Sequence, residues 1–293
     1  MPLTYIFKAK LKLLTELWIE GIYDLKYLPN WLFYNNPNLL ELSIRKCLNL
    51  RELPDGLGTL NSLERLNINY CPNLERVGDI GAKESQGSLA SLKRLEICDC
   101  DALMYFPCEM LGSLLEKLEL KNLSSLKNLP RIIDCLTKLD RLPKFKIIGV
   151  LQFMATYSGG QLIIDVGMKV SMETVDGLLQ RCNSHSLVEL NLKGREGWGN
   201  LPESIQHLTA LYYFKWEDFG MEELPEWLGN LTSLRGLRIK NCKKLRRLHA
   251  LRGLTSLQWL NIKGCPEISI EQESDAADSQ WPNISHIPNI KIV

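Results

Sequence analysis

The sequence predicts an α/β solenoid: a horseshoe with a curved parallel β-sheet on its concave side and mostly loops, 3-10 turns or short helical turns on its convex side. Three observations predict it. Apolar residues recur with a 3-then-2 spacing, as in Leu63, Leu66 and Ile68, at intervals that are mostly 23 to 25 residues. A Leu-Pro pair closes many of the copies, as at Leu53-Pro54 and Leu224-Pro225. A cysteine returns three residues after the second strand residue, at Cys47, Cys71, Cys100, Cys242 and Cys265. One copy cannot bury its own apolar face, so neighbouring copies must stack.

The copies follow one another along almost the whole chain. The first reads Leu14, Leu17, Ile19, Leu25, Leu28, Pro29, and the second Leu39, Leu42, Ile44, Cys47, Leu50, Leu53, Pro54. Strands are then expected at Leu63-Leu66-Ile68, Leu92-Leu95-Ile97 and Leu115-Leu118-Leu120. The pattern resumes at Leu187-Leu190-Leu192 and continues at Leu211-Phe214-Trp216, Leu234-Leu237-Ile239 and Leu257-Leu260-Ile262, closing at Ile287-Ile290-Ile292. This is the leucine-rich-repeat period. Alternation within each strand turns two apolar side chains inward and the residues between them outward. The proline that ends a copy fixes φ and opposes a long helix, so stretches such as "LPDGLGTL" and "LPEWLGNL" predict one short helical or 3-10 turn each.

Residues 1–293 are expected to form a single domain of about ten to twelve repeats. Three segments break the rhythm. Residues 78–87, "GDIGAKESQG", predict a surface loop insertion. Residues 142–186 are degenerate: Leu142, Phe145 and Ile147 keep the strand spacing and "QLIIDV" predicts another strand, with a kink or a longer convex segment between them. Residues 271–283 predict an acidic loop before the last strand. No polar capping copy precedes Leu14, which leads us to expect a piece of something longer.

Composition narrows the function. Of 293 residues 45% are hydrophobic, and 35 Lys and Arg balance 34 Asp and Glu. Near-zero net charge argues against a nucleic-acid binder held by bulk electrostatics. No apolar run is long enough to span a bilayer, and the first residues lack the pattern of a secretory signal. Nine cysteines without tight pairs suit a reducing compartment.

The repeated cysteine slot points inward, where a thiol acts as a small apolar side chain that can bond neighbouring backbone. Cys98 is expected on the exposed side of its strand, which would make it the one candidate reactive thiol. The sequence offers no C-x-x-C, and its four histidines (His185, His207, His249, His286) are scattered, so neither zinc nor another cofactor is expected. Phosphate-binding, dinucleotide-binding, nucleophile-elbow and zinc-protease motifs are absent, and no enzyme is expected.

The outward strand positions remain. After the second apolar residue of each strand stand Glu20, Arg45, Asn69, Cys98, Lys121, Lys193, Glu217, Lys240 and Lys263, a partly positive column. Trp18, Tyr70, Tyr212, Tyr213 and Trp259 add outward aromatics, and Arg65 and Arg238 complete the candidate protein-binding face. Trp, Tyr and Arg dominate interface energetics. "RIKNCKKLRRLHALR" predicts a basic convex edge that could dock an acidic neighbouring domain.

"LPEWLGNLTSLRGLRIKNCKKLRRL", "LERLNINYCPNLERV" and the terminal "WPNISHIPNIKI" resemble the C-terminal leucine-rich repeats of plant NLR disease-resistance proteins, the coiled-coil subclass above all. The G-x-I-P turn of the extracellular plant repeats is missing. The resemblance implies a recognition part of an intracellular immune receptor, sensing a pathogen effector or a guarded host protein and restraining an adjoining nucleotide-binding switch domain. It implies the cytoplasm, with the nucleus as the alternative. It implies no direct nucleic-acid partner, no integral membrane segment and, without a P-loop here, no ATP binding. The other reading is a truncated or stand-alone repeat scaffold or adaptor for a host protein.

Overall fold

The structure, a computed structural model, describes residues 13–78, 89–136, 144–150, 153–167, 170–180, 182, 186–270 and 279–293. All of the expected 78–87 loop but Gly78, and residues 271–278 of the expected acidic loop, lie outside them. The chain divides into two compact units, Met1–Gln152 and Phe153–Val293.

The first unit carries strands β1 (Glu16–Glu20), β2 (Glu41–Arg45), β3 (Glu52–Leu53), β4 (Arg65–Asn69), β5 (Arg76–Val77), β6 (Arg94–Cys98), β7 (Lys117–Lys121) and β8 (Lys144–Val150), with short helices α1 (Trp31–Asn35) and α2 (Leu129–Leu136). Strands β1, β2, β4, β6, β7 and β8 lie side by side, all parallel, each one repeat after the last. Their register stacks the repeat leucines: Leu42, Leu66, Leu95 and Leu118 form one ladder, and Ile44, Ile68, Ile97 and Leu120 the next, all buried. Each such side chain contributes roughly 1.5–3 kcal/mol on removal from water. On the other side of the repeats β3 and β5 pair in parallel, with Arg76 bonded to Glu52 across them.

The second unit carries β9 (Phe153–Ser158), β10 (Gln161–Asp165), β11 (Glu189–Lys193), β12 (Tyr213–Glu217), β13 (Gly236–Lys240), β14 (Trp259–Lys263) and β15 (Asn289–Ile292), with helices α3 (Met172–Gln180) and α4 (Trp281–Ile284). From β10 to β15 the strands are parallel, with ladders Leu190-Phe214-Leu237-Leu260 and Leu192-Trp216-Ile239-Ile262. Within the region of lost consensus the described residues add a strand that the spacing does not predict. "QLIIDV" supplies β10 as expected, but β9 precedes it as an antiparallel hairpin partner. The two-residue turn Gly159-Gly160 has φ of 59° and 79°, the conformation a tight hairpin needs and only glycine adopts freely.

Behind the strands the predicted short turns form as 3-10 segments at Leu57–Thr59, Cys108–Met110, Glu203–His207, Glu226–Asn230 and His249–Gly253. Three of them follow the prolines Pro107, Pro202 and Pro225 directly. Together with the parallel ladders they make the chain a leucine-rich-repeat solenoid.

Candidate functional site: the outward face of the strands

The handover from strand to turn is made by the cysteine slot. Each thiol donates to the carbonyl two residues back: Cys47 to Arg45 (3.5 Å), Cys71 to Asn69 (3.6 Å), Cys100 to Cys98 (3.3 Å), Cys242 to Lys240 (3.5 Å) and Cys265 to Lys263 (3.7 Å). All five are buried and free. The Cys100 thiol beside it, aided by burial, pushes the Cys71 thiol up to about 12, so it stays protonated. These cysteines fill and cap the solenoid.

Cys98 departs from expectation. It occupies an outward position, in register with Asn69 and Lys121, yet it is only 7% exposed. Burial, reinforced by the charge of Glu119, pushes its thiol up to about 11. It is a packed thiol, and the expected exposure fails because neighbouring repeats cover it. Cys108, Glu109 and Cys135 bring ligand atoms within 4.8 Å of one another. Glu109 is bonded to Arg131, and burial, with the Cys135 thiol beside it, pushes the Cys108 thiol up.

The outward face of the first unit is compensated in part: several of its cations are bonded to acids of neighbouring strands, while Arg45, Arg94, Lys144 and Lys146 have no carboxylate within ion-pair distance among the described residues. Glu41, Arg65, Arg94 and Lys117 form one cross-strand row, Ser43, Asn67, Glu96 and Glu119 the next. Arg65 bonds Glu41 at 2.6 Å, Lys117 reaches Glu96 and Glu119, and Lys121 bonds Glu119. Glu119 is the hub. Burial would raise its carboxyl, but the bonds from Lys121 and Lys117 win and hold it below the usual carboxylate range. Of the candidates here, Trp18 is 66% exposed, Arg45 is exposed, and Asn69 and Lys121 are half-buried.

In the second unit Lys193 bonds Asp165 at 3.1 Å, and Lys240 and Lys215 share Glu217 at 3.0 and 3.4 Å. Beyond β12 the strands bring no acid of their own: the outward residues of β13, β14 and β15 are Gly236, Arg238, Lys240, Trp259, Asn261, Lys263, Asn289 and Lys291, of which Lys240 is compensated by Glu217 on β12. The guanidinium of Arg238 and the ammonium groups of Lys263 and Lys291 have no carboxylate within ion-pair distance among the described residues. Tyr213, Arg238 and Trp259 line a groove of about 690 Å³ with Asn261, Asn289 and Lys291. Tyr213, Arg238 and Trp259 were legible as outward residues. Gly236, Asn261 and Lys291 were not singled out, although the strand spacing marks them as outward too.

Two candidates lie at the margins of the face. Tyr212 precedes β12, its backbone N–H donating to Val188. Tyr70 follows β4 at φ 57°. It belongs to a row of left-handed residues that ends most strands: Lys46, Tyr70, Asp99 and Asn122 in one unit, Asp218 and Asn241 in the other. Asn122 donates to Asp99 at 2.7 Å and Asn241 to Asp218 at 3.1 Å, so the row carries its own side-chain ladder.

Residues 202–265 match the family described as R13L1/DRL21 LRRs. The chain is 26% identical over 199 residues, 68% of its length, to the Arabidopsis thaliana protein SUPPRESSOR OF npr1-1, CONSTITUTIVE 1. It is 26% identical over 76% of its length to a probable disease resistance protein of the same plant, and 27% over 71% to TMV resistance protein N of Nicotiana glutinosa. It spans only 13%, 9% and 18% of the lengths of these relatives. Among solved structures, the functional domain of InlJ from Listeria monocytogenes aligns over 95% of this chain and 62% of its own, at 13% identity and a TM-score of 0.38. The chain is a leucine-rich-repeat protein similar to the repeat region of plant NLR disease-resistance proteins.

Proposed function

We propose that this chain is a non-enzymatic recognition module of plant innate immunity, whose outward strand face binds a pathogen effector or a modified host protein. The observation that carries the reading is that face itself. In the first unit it presents Trp18 between Glu16 and Glu20, and in the second Tyr213 and Trp259 beside Arg238, Lys240 and Lys263, each above a core that holds the strands in fixed register. Large aromatics and arginine on a rigid, pre-formed surface bind without a large ordering cost. Repeat similarity to proteins named for disease resistance and TMV resistance supports the biological setting. No helix among the described residues is long and apolar enough to cross a membrane.

The test is recovery of a partner from infected leaf extract by the chain and by a Trp18→Ala, Tyr213→Ala, Trp259→Ala variant. Loss of the partner with the variant is expected, and equal recovery sinks the reading.

In a longer receptor the same module restrains a nucleotide-binding switch domain through its basic edge. There Arg246 and Arg247 are exposed, and their carboxylate contacts to Glu267 (3.7 Å) and Glu223 (3.5 Å) are long. Reversal of both arginines to Glu in a full-length receptor is expected to give signalling without pathogen. A silent variant rejects the restraint.

A further inference from the structure

We infer that the groove over β12 to β15 is a docking site for an acidic linear segment of a partner protein, which places an apolar or aromatic side chain between Tyr213 and Trp259 and a carboxylate on Arg238. The inference rests on the proposed recognition role and adds the chemistry of what is recognised.

The shape of the slot comes from one missing side chain. Tyr213, Gly236 and Trp259 stand in register on three consecutive strands. With strands about 4.8 Å apart, the two aromatic residues are rooted roughly 10 Å apart. The Tyr213 ring leans over the glycine: a Cβ at Gly236 would stand 2.6 Å from its Cδ2. Trp259, 60% exposed, forms the opposite side. The groove volume of about 690 Å³ falls within the range of sites that enclose a ligand of a few side chains.

The charge comes from the next row, where Lys215, Arg238, Asn261 and Lys291 align. Lys215 is engaged with Glu217. Arg238 has its Nε shielded from solvent and without an acceptor among the described residues. The Nε is closed to a ligand, but Arg238 lines the groove with no carboxylate within ion-pair distance among the described residues, and a carboxylate is the acceptor a guanidinium fits best. Lys263 and Lys291 extend the positive field, and no acid on β13 to β15 cancels it. In the first unit Arg65, Lys117 and Lys121 are bonded to Glu41, Glu96 and Glu119, and cations without an ion pair, such as Arg45 and Arg94, share their face with those acids.

An aromatic slot beside arginine could also stack a nucleotide base. Against that, the net charge is only +1, and the groove cations run across three strands rather than along a backbone-length track.

The probe is a fluorescein-labelled peptide, Gly-Ser-Gly-Phe-Asp-Glu-Gly-Ser-Gly, titrated into the 293-residue chain and read by anisotropy. Its counterparts carry Asn-Gln in place of Asp-Glu, or Ala in place of Phe. Each replacement is expected to weaken binding about tenfold or more, as is Arg238→Gln in the protein. Lys26→Gln, an exposed change in the first unit away from the outward strand positions, should leave binding unchanged, with thermal melts confirming that both variants fold. Equal binding of acidic and amide peptides, equal losses from Arg238→Gln and Lys26→Gln, or no binding of the acidic peptide would each overturn the proposal, as would tighter binding of oligothymidylate. Because this assay needs no plant extract, its failure is separable from failure of the immune-recognition reading.

Discussion

At the end of most strands one residue turns the chain through positive φ, and its chemistry varies from repeat to repeat. Asp99, Asn122, Asp218 and Asn241 tolerate the left-handed region because their short polar side chains bond locally. Tyr70 at φ 57° has no such compensation and is 55% exposed, so little packing would be lost on replacing it. Tyr70→Asn is expected to stabilise the fold by about 0.5–1 kcal/mol, read as a higher urea midpoint at unchanged slope. Cys98 makes the second residue-scale case. With its thiol raised to about 11, iodoacetamide at neutral pH should leave it unlabelled in the native protein and label it fully after denaturation, as peptide mapping would reveal. Native labelling as fast as that of a free thiol would contradict the packing described.

Among the elements, the strand is the unit that the repeat dictates and the hairpin the one it does not. Ile68 is fully buried between Ile44 and Ile97 in the ladder, whereas Ile163 faces outward from β10 and is half-buried. Ile68→Ala should cost about 2–5 kcal/mol and Ile163→Ala under about 1 kcal/mol, compared by chemical denaturation. Similar costs would mean that the inward and outward assignment is wrong. For the β9–β10 turn, Gly160 has φ 79°, and a Cβ there would stand 2.8 Å from the Ser186 carbonyl oxygen. Gly160→Ala therefore carries strain and a clash together and should destabilise by more than about 1 kcal/mol, in contrast to the gain that Gly→Ala gives where φ permits it. "SGGQ" marks a turn in the sequence, but which strand lies before it, and in which direction, depends on pairing that spacing alone does not encode.

Over the whole molecule, carboxylates bonded to lysine link stability to pH. Glu64 is held low by its bond from Lys93. In Glu119 and Glu217 burial opposes ionisation, but the bonds from Lys121 and Lys240 prevail. Folded-state values below the unfolded ones mean that the stabilisation is complete above the unfolded carboxylate value of about 4.3 and is lost as pH falls through the folded ones. Thermal melts should thus hold level near neutrality and drop below about pH 4, and Glu119→Gln should flatten that drop.

The period of about two dozen residues, the 3-then-2 spacing within it and the inward cysteine slot were all present in the sequence, because alternation in a strand and stacking of copies are local rules repeated many times. They determined the solenoid, the short convex turns and which residues face outward. Tertiary structure decided what those outward residues meet. Cys98 is covered by residues of neighbouring repeats, Glu119 gathers two lysines, and Gly236 leaves room for the Tyr213 ring beside Trp259. Each of these depends on contacts between residues a full repeat or more apart, set by the register in which parallel strands pair, and no window of sequence shorter than two repeats contains them.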